Sequence, residues 1–173
     1  LKVNVLIDVN MGTNRTGVEV EKLYDLYMEC CKLPGLSLNG LHCYDGNHGI
    51  ENYEERRRAV EEADHKVFKV VERIKQSGEN CDILIMGGTP SFPCHAKYGN
   101  VYLSPGTCVI SDDGYYHRFQ DENFVPAGIL MTRVVSHAAE GYFTIDLGYK
   151  GIASDPQGQR GRLLGVEHAV SVG

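Results

Sequence analysis

A regular alternation of short β-rich segments and amphipathic helical segments limits this 173-residue chain to few folds. Apolar β-rich runs at residues 3–8, 38–43 and 83–86 are separated by two segments whose apolar side chains recur at helical spacing. Residues 100–110 are a fourth predicted strand. Strands that alternate with helices pair in parallel through right-handed crossovers. The pattern therefore predicts an α/β fold built on a parallel sheet.

Both intervening segments carry helix boundary signals. Thr16 and Glu19 have the spacing of a capping box, and residues 33–35, Leu-Pro-Gly, predict the end of the first helix. In the second segment Asn52 is the predicted N-cap, with Glu55 three positions later. The second helix has a predicted buried stripe, which comprises Val60, Ala63, Val67, Val70, Val71 and Ile74.

The pattern changes near residue 124. Residues 130–135 and 142–147 are predicted strands joined by a glycine-containing turn, with no helix between them. We therefore expect two units, an α/β unit at residues 1–120 and the beginning of a β-rich domain at residues 121–173. The chain begins with Leu1 and stops within a strand-like apolar alternation, which leads us to expect a fragment of a longer polypeptide.

Composition argues against a membrane or nucleic-acid role. The chain is 42% hydrophobic, and it has neither a run long enough to span a bilayer nor a signal-peptide pattern. A formal charge of −6 without a dense basic run does not favour phosphate-backbone binding. The basic cluster at residues 56–58 lies among glutamates and is interpreted as a salt-bridged solvent face. We expect a cytoplasmic protein.

The six cysteines are scattered and contain no C-x-x-C pair, which favours reduced thiols. Cys94 and His95 are adjacent and could both ligate a metal. A metal site needs three or four convergent ligands, so this pair alone does not predict one.

Residues 81–93 run from an apolar strand directly into a loop of small residues. Backbone N–H groups converge on an anion only where side chains do not block the approach. Gly87 and Gly88 provide bare backbone, and Thr89 and Ser91 add two hydroxyl donors. The loop is thus a candidate phosphate site. An ordinary turn is an equally valid interpretation from spacing alone, because the loop matches neither the P-loop nor the dinucleotide fingerprint.

Polar loops follow four of the predicted strands, at residues 10–15, 42–48, 87–91 and 112–115. Ligands of α/β barrels and open α/β sheets bind at the carboxyl ends of the strands. These loops are therefore expected to meet at one binding site.

Four sequence blocks carry a resemblance to a known family. They are Ile7-Asp-Val-Asn-Met-Gly-Thr-Asn-Arg-Thr-Gly-Val18, Gly40-Leu-His-Cys-Tyr-Asp-Gly46, Gly87-Gly-Thr-Pro-Ser-Phe-Pro93 and Ser104-Pro-Gly-Thr-Cys-Val-Ile-Ser-Asp-Asp-Gly-Tyr115. In order and spacing they resemble the D-threonine aldolase and D-serine dehydratase family, fold-type III pyridoxal-phosphate enzymes similar to the alanine racemases. The resemblance implies the second half of a (β/α)₈ TIM-type barrel followed by the start of a β-rich domain.

The resemblance also implies roles for individual residues. Arg15 would face the phenolic oxygen of pyridoxal 5′-phosphate, where a guanidinium favours the phenolate. Tyr44 would lie near the cofactor ring and leave its nitrogen largely unprotonated. His48 is a candidate base or substrate contact, although a loop histidine bonded to neighbouring backbone fits equally well. The remaining cofactor-binding residues implied by the family blocks are Gly87, Gly88, Thr89, Ser91 and Tyr115.

The chain also departs from the family pattern. Its eight lysines (Lys2, Lys22, Lys32, Lys66, Lys69, Lys75, Lys97 and Lys150) match no family context for the Schiff-base lysine. The family's metal ligands, a histidine followed two residues later by cysteine or aspartate, have no match, since His168 is followed by Val170 at that distance. A divalent metal, zinc or manganese, is therefore expected in the full-length protein on ligands outside this sequence. The resemblance further implies a homodimer.

The favoured interpretation is a lyase acting on a small D-β-hydroxy amino acid, by retro-aldol cleavage or by dehydration. The sequence does not choose between these reactions, and it predicts that this stretch alone is inactive. One alternative is a non-catalytic pyridoxal-phosphate-binding homeostasis protein. Another is a metal-dependent barrel hydrolase that would use His42, Asp45 and His48 as ligands.

Overall fold

The structure, a computed structural model, describes residues 1–148, 151–152 and 161–170. Four strands form one parallel sheet in the order β1-β2-β3-β4. They are β1 (Val3–Asp8), β2 (Leu36–Cys43), β3 (Ile83–Met86) and β4 (Tyr102–Leu103). Each strand pairs with the next one along the chain, which is the arrangement of successive strands in the wall of a β/α barrel.

Helix α1 (Val20–Cys31) connects β1 to β2, and helix α2 (Tyr53–Gln76) connects β2 to β3. A short helix α3 (Phe92–His95) follows β3, and α4 (Asp113–Arg118) follows β4. Two 3₁₀ turns, Thr107–Val109 and Gln120–Glu122, flank α4. The predicted parallel βαβ organisation is confirmed.

The hydrophobic core lies between the sheet and the helices α1 and α2. Alternate side chains of the strands face the helices, because successive side chains of a strand point to opposite faces. Leu41 and Leu84 are at most 3% exposed, and from α2 Val67 and Ile74 are fully buried. Full burial of such a side chain stabilises the fold by about 1.5–3 kcal/mol. The packing fixes the sheet against the helices and therefore fixes the loops at its carboxyl edge.

Of the two N-terminal caps predicted for the long helices, one is confirmed and the other is wrong. The Asn52 cap is confirmed, since its side-chain oxygen accepts a hydrogen bond from Glu55 N–H at 3.1 Å. The capping box of Thr16 and Glu19 is wrong. Val18 is held in a parallel bridge with Val9, the residue after β1, and its N–H donates to Asp8 O at 2.9 Å, so α1 begins only at Val20.

The fourth predicted strand is much shorter than the sequence indicated. Of residues 100–110, only Tyr102 and Leu103 pair with β3. Pro105 has no N–H to continue a ladder, and Gly106 then leads into the 3₁₀ turn. Residues 104–110 therefore belong to the loop at the sheet edge.

The β-rich segment consists of an antiparallel hairpin, β5 (Val134–Ala139) and β6 (Tyr142–Ile145). Contacts with the α/β unit continue past residue 120, because the Phe124 ring stacks on Phe92 at 6.0 Å and Ala127 N–H donates to Ile110 O at 2.7 Å. The division at residues 120/121 stays a prediction.

The solvent-face interpretation of residues 56–58 is wrong for Arg56. This side chain is fully buried, donates to Ile50 O at 2.7 Å and to Glu51 O at 3.1 Å, and forms an ion pair with Asp121. Arg57 does lie in a surface ion-pair row, with Glu54 and Glu61.

All six cysteines are free thiols. In the part of the chain that the structure describes, every helix is too short or too polar to cross a bilayer.

Candidate functional site

The loops that follow the four strands meet at the carboxyl edge of the sheet, as the sequence predicted. The loop after β1 contacts the loop after β2 through Asn47, whose amide donates to Met11 O at 3.3 Å. The loop after β3 is joined to the loop after β4 by the Ser104 hydroxyl, which donates to Gly87 O at 2.8 Å. The loops after β2 and β3 are joined by Gly88 N–H, which donates to Asp45 Oδ1 at 3.0 Å, so the four loops form one continuous rim along this edge.

The loop after β1 presents Arg15. Asn10 organises this loop, because its side-chain oxygen accepts the N–H groups of Gly12 at 3.0 Å and Asn14 at 3.1 Å. Gly17 is required two positions after Arg15, since a Cβ there would lie 2.6 Å from the backbone of Val9 and Asn10 and its φ is +91°. This packing explains the Arg-x-Gly spacing and leaves the exposed Arg15 side chain at the rim.

Arg15 and Tyr44 connect the loops after β1 and β2 through a direct contact. The guanidinium carbon lies 4.9 Å from the centroid of the Tyr44 ring, a cation–π distance. An open depression of about 210 Å³ adjoins the arginine and is lined by Asn10, Asn14, Arg15, Thr16 and Gly17.

Two glycines make room for the Tyr44 ring. A Cβ on Gly46 would lie 2.1 Å from the Tyr44 hydroxyl oxygen, and a Cβ on Gly88 would lie 3.0 Å from Cε2 of the ring. The ring is therefore clamped between the loops after β2 and β3, and its position depends on the absence of side chains at these two places.

The loop after β3 already binds an anion, the carboxylate of Asp45. Gly88 N–H donates to Asp45 Oδ1 at 3.0 Å and lies 2.8 Å from Ser91 Oγ. The Ser91 hydroxyl donates to the same carboxylate oxygen. Of the donors predicted for a phosphate, Gly88 N–H and the Ser91 hydroxyl are therefore engaged within the protein.

Thr89 differs from its neighbours in this loop. It is 5% exposed, and within the described residues its hydroxyl and its N–H make no hydrogen bond. The hydroxyl is also not among the fully enclosed polar atoms. The hydroxyl and the N–H of Thr89 are thus both left for a ligand.

His95 lies between two buried carboxylates. Its Nε2 is 3.0 Å from Asp45 Oδ2, which is a hydrogen bond. Its Nδ1 is 3.1 Å from Asp64 Oδ2, where the two groups form an ion pair but are not aligned for a hydrogen bond. All three side chains are at most 1% exposed. Burial lowers the pKa of His95, but the two carboxylates outweigh it and raise the pKa to about 9. His95 is therefore a buried imidazolium at neutral pH.

The pKa of Asp45 shifts in the direction opposite to that of His95. Burial raises the pKa of this carboxyl, but hydrogen bonds from His95 and Ser91 more than offset the effect and hold the pKa below its usual value. Asp45 and His95 are thus both charged in the folded protein.

A pH titration should detect this imidazolium. The pKa of His95 is about 9 in the folded protein and 6.5 for an ordinary histidine. The stabilisation that protonated His95 gives the fold is therefore complete below pH 6.5 and is lost as the pH rises to 9. We expect the free energy of unfolding to fall by about 3 kcal/mol over this interval. Urea unfolding at several pH values measures it. His95→Gln should flatten the profile, and the exposed His65→Gln should not; equal profiles for all three proteins would contradict the assignment.

His48 and Tyr115 lie on the same rim. His48 N–H donates to Asp45 O at 3.0 Å, and its Nε2 is buried with no hydrogen-bond partner in the described residues. Tyr115 is the third residue after the N-cap Asp112, whose side chain accepts from Tyr115 N–H at 2.9 Å. Burial and the nearby Tyr44 raise the pKa of the Tyr115 phenol. The structure therefore brings the predicted residues Arg15, Tyr44, His48, Thr89 and Tyr115 to one edge.

The three ligands of the hydrolase alternative do not converge. His42 Nδ1 pairs with Asp8 Oδ1 at 2.7 Å, whereas Asp45 faces His95 and Ser91. Among the described residues no group of three or more His, Cys, Asp or Glu side chains is arranged to hold a metal. Cys94 and His95 do not make a metal pair either, because both nitrogens of His95 face aspartates.

Sequence reasoning missed Asp45, Asp64 and His95 as a unit. One signal was present: Arg56 and Asp64 each lie four positions from Val60 and so fall on the buried stripe of α2. A charged residue on such a stripe needs a buried partner. The identity of that partner depends on the tertiary fold.

Comparisons with known proteins agree with this architecture. Residues 1–112 match the family model of the alanine racemase N-terminal domain. D-threonine aldolase of Arthrobacter sp is 28% identical over 162 residues, which are 89% of this chain and 42% of the relative. The crystal structure of D-threonine aldolase from Filomicrobium marinum superposes with a TM-score of 0.79 at 26% identity, over 92% of this chain and 47% of the other.

A more distant structure shares the fold alone. Alanine racemase of Clostridium difficile has a TM-score of 0.56 at 14% identity, covering 80% of this chain and 38% of the racemase. The chain thus spans less than half the length of the relatives it matches. It belongs to the alanine racemase N-terminal domain family, which confirms the predicted (β/α)₈ barrel class and the resemblance to fold-type III pyridoxal-phosphate enzymes.

Proposed function

We propose that this chain contributes the Arg15–Tyr44 rim to the cofactor site of a pyridoxal-phosphate-dependent lyase similar to D-threonine aldolase, acting on D-β-hydroxy amino acids. The observation that carries the proposal is the clamped Tyr44 ring with the Arg15 guanidinium 4.9 Å from its centroid. Support comes from the two D-threonine aldolases that match most of this chain.

The residues present fit the cofactor in three respects. Arg15 offers a permanent cation for the phenolic oxygen, and Tyr44 offers a hydroxyl for the ring nitrogen. Thr89 has donors without partners in the described residues, which suit one oxygen of the phosphate. Gly46 and Gly88 keep the space around the Tyr44 ring free of side chains.

When bound, the cofactor supplies an electron-withdrawing ring that stabilises negative charge at the α-carbon of the substrate. Arg15 would stabilise the phenolate, and the Tyr44 hydroxyl would donate a hydrogen bond to the ring nitrogen. His48, whose Nε2 has no hydrogen-bond partner in the described residues, would be the base that takes the proton of the substrate hydroxyl. Tyr115 closes the site beside Tyr44.

The donor sets of the described residues do not fit a metal ion. We propose that zinc or manganese binds to ligands outside this sequence. A homodimer and a cytoplasmic location are likewise proposals, drawn from the family resemblance and the composition.

The test uses the complete polypeptide that contains this chain. Its intact mass under denaturing conditions should rise by one reduced pyridoxyl group after borohydride treatment. Incubation with D-threonine should release glycine and acetaldehyde, and L-threonine serves as the stereochemical control. Pyruvate from D-serine instead would assign the dehydratase reaction. A cofactor adduct without either product would favour the homeostasis-type alternative, and the absence of an adduct would refute the proposal.

Gly46→Ala tests the clamp around Tyr44. The new Cβ would overlap the Tyr44 hydroxyl, so the ring must leave its place over Arg15. We expect cofactor affinity to fall about tenfold or more, with a loss of stability of about 1 kcal/mol. Absorbance titration with pyridoxal 5′-phosphate and urea unfolding measure the two effects. Gly35→Ala, where a Cβ meets nothing within 4 Å, is the control; equal affinity for both variants would contradict the clamp.

A further inference from the structure

The Asp45 carboxylate creates an electrostatic problem for the loop after β3. This carboxylate is held by Gly88 N–H, from the residue before Thr89, and by the hydroxyl of Ser91, two residues after Thr89. A phosphate on Thr89 would therefore lie within several ångströms of a buried negative charge. Two such charges repel strongly where water is excluded.

His95 supplies the compensating charge. Its Nε2–H faces Asp45 Oδ2 at 3.0 Å, so the carboxylate that holds the loop is neutralised on the side opposite Gly88. Asp64, 3.1 Å from Nδ1, keeps the imidazole protonated from the far side. The other titratable groups around this network are His48, which lowers the Asp45 pKa, and Cys43, Cys94 and Tyr98, whose thiol and phenol groups carry no positive charge.

We propose that His95 is a positioning residue of the phosphate loop: it neutralises the internal carboxylate of Asp45, so that the same loop can hold a second, external phosphate on Thr89. The loop thus binds two anions, one from the protein and one from the ligand. This inference rests on the proposed function, because it takes the loop as the phosphate site.

The network accounts for features that a simple turn does not need. Asp45, Asp64 and His95 come from three separate parts of the chain, and each of these side chains is at most 1% exposed. A neutral residue at position 45 could accept Gly88 N–H and the Ser91 hydroxyl without any cation. The imidazolium and its second carboxylate are required only if charge matters at this loop.

The experiment compares two ligands in the complete polypeptide, pyridoxal 5′-phosphate and pyridoxal, which lacks the phosphate. In His95→Gln the affinity for pyridoxal 5′-phosphate should fall about tenfold or more, while the affinity for pyridoxal changes little. His65→Gln, an exposed histidine, should leave both affinities unchanged. Equal losses for the two ligands would indicate a structural role only and would overturn the inference.

A second variant pair removes the carboxylate charge itself. Asp45→Asn keeps an acceptor for Gly88 and Ser91, so phosphate affinity should stay equal or rise. The double variant His95→Gln/Asp45→Asn should recover the affinity that His95→Gln loses, because the carboxylate charge in contact with the loop is gone and the remaining Asp64 carboxylate lies on the far side of position 95. A loss in Asp45→Asn, or no recovery in the double variant, would overturn the inference even if His95→Gln folds poorly.

Inorganic phosphate separates this inference from the proposed function. Its binding is followed by NMR shifts of the Gly88 and Thr89 amides in wild type and in His95→Gln. Shifts that require about tenfold more phosphate in the variant support the inference even if no cofactor adduct forms. Equal binding, or no binding to wild type, counts against it whatever the outcome with the cofactor.

Discussion

Replacing Asp45 with alanine is expected to lower the free energy of unfolding by about 3–5 kcal/mol, because the change leaves a buried cation and two donors without their acceptor. The carboxylate accepts from Gly88 N–H, the Ser91 hydroxyl and His95. Without it, His95 retains only the poorly aligned pair with Asp64. Urea denaturation followed by circular dichroism measures the effect.

The matched control is Asp25→Ala on α1. Asp25 is exposed and has no ion pair or hydrogen bond through its side chain in the described residues, so its loss should change stability by no more than about 0.5 kcal/mol. Asp45→Asn should lie between the two variants, because the amide oxygen still accepts. If Asp45→Ala were as stable as Asp25→Ala, the buried network would carry no net stabilisation.

Replacing Arg56 with alanine is expected to have a comparable effect, a loss of about 3–5 kcal/mol. The guanidinium donates to two backbone carbonyls at the start of α2 and pairs with Asp121. It also lies 5.1 Å from the Phe119 centroid and 5.5 Å from that of Tyr53. Alanine leaves the carbonyls and Asp121 unpaired and opens a cavity beside Phe119, which is 3% exposed.

Arg58→Ala provides the control two residues away on the same helix. Its side chain is exposed, so the expected change is within about 0.5 kcal/mol. Thermal unfolding of both variants and wild type tests the difference. A difference below about 1 kcal/mol would mean that the desolvation cost of burying Arg56 cancels its contacts.

The α/β class was predictable because it depends on local periodicity. Alternating apolar spacing located β1, β2 and β3, and the Asn52 cap located the start of α2. The strand at 100–110 was overestimated because Pro105 ends the ladder in spite of the apolar residues after it. The Thr16 cap failed because a long-range bridge between Val18 and Val9 overrode a local signal.

The candidate site was predicted less completely, because part of it depends on contacts between residues that are far apart in the sequence. Arg15, Tyr44 and the glycine loop are marked by local blocks, and they do lie on one rim. The partners of that loop come from distant parts of the chain: Asp45 lies 43 residues from Gly88 and 50 residues from His95. Local patterns carry no information about such pairings. They also could not show that the Ser91 hydroxyl faces Asp45 and leaves Thr89 as the free donor.

The bond between Arg56 and Asp121 has a practical consequence for anyone who shortens this chain. A piece that ends at residue 120 would omit Asp121 and leave a buried guanidinium without its counter-ion, and it would also lose the Phe124 ring that covers Phe92. A piece that ends after residue 128 keeps both contacts and the Ala127 hydrogen bond to Ile110. The smallest portion able to preserve the rim of loops therefore extends several residues into the segment whose sequence already looks β-rich.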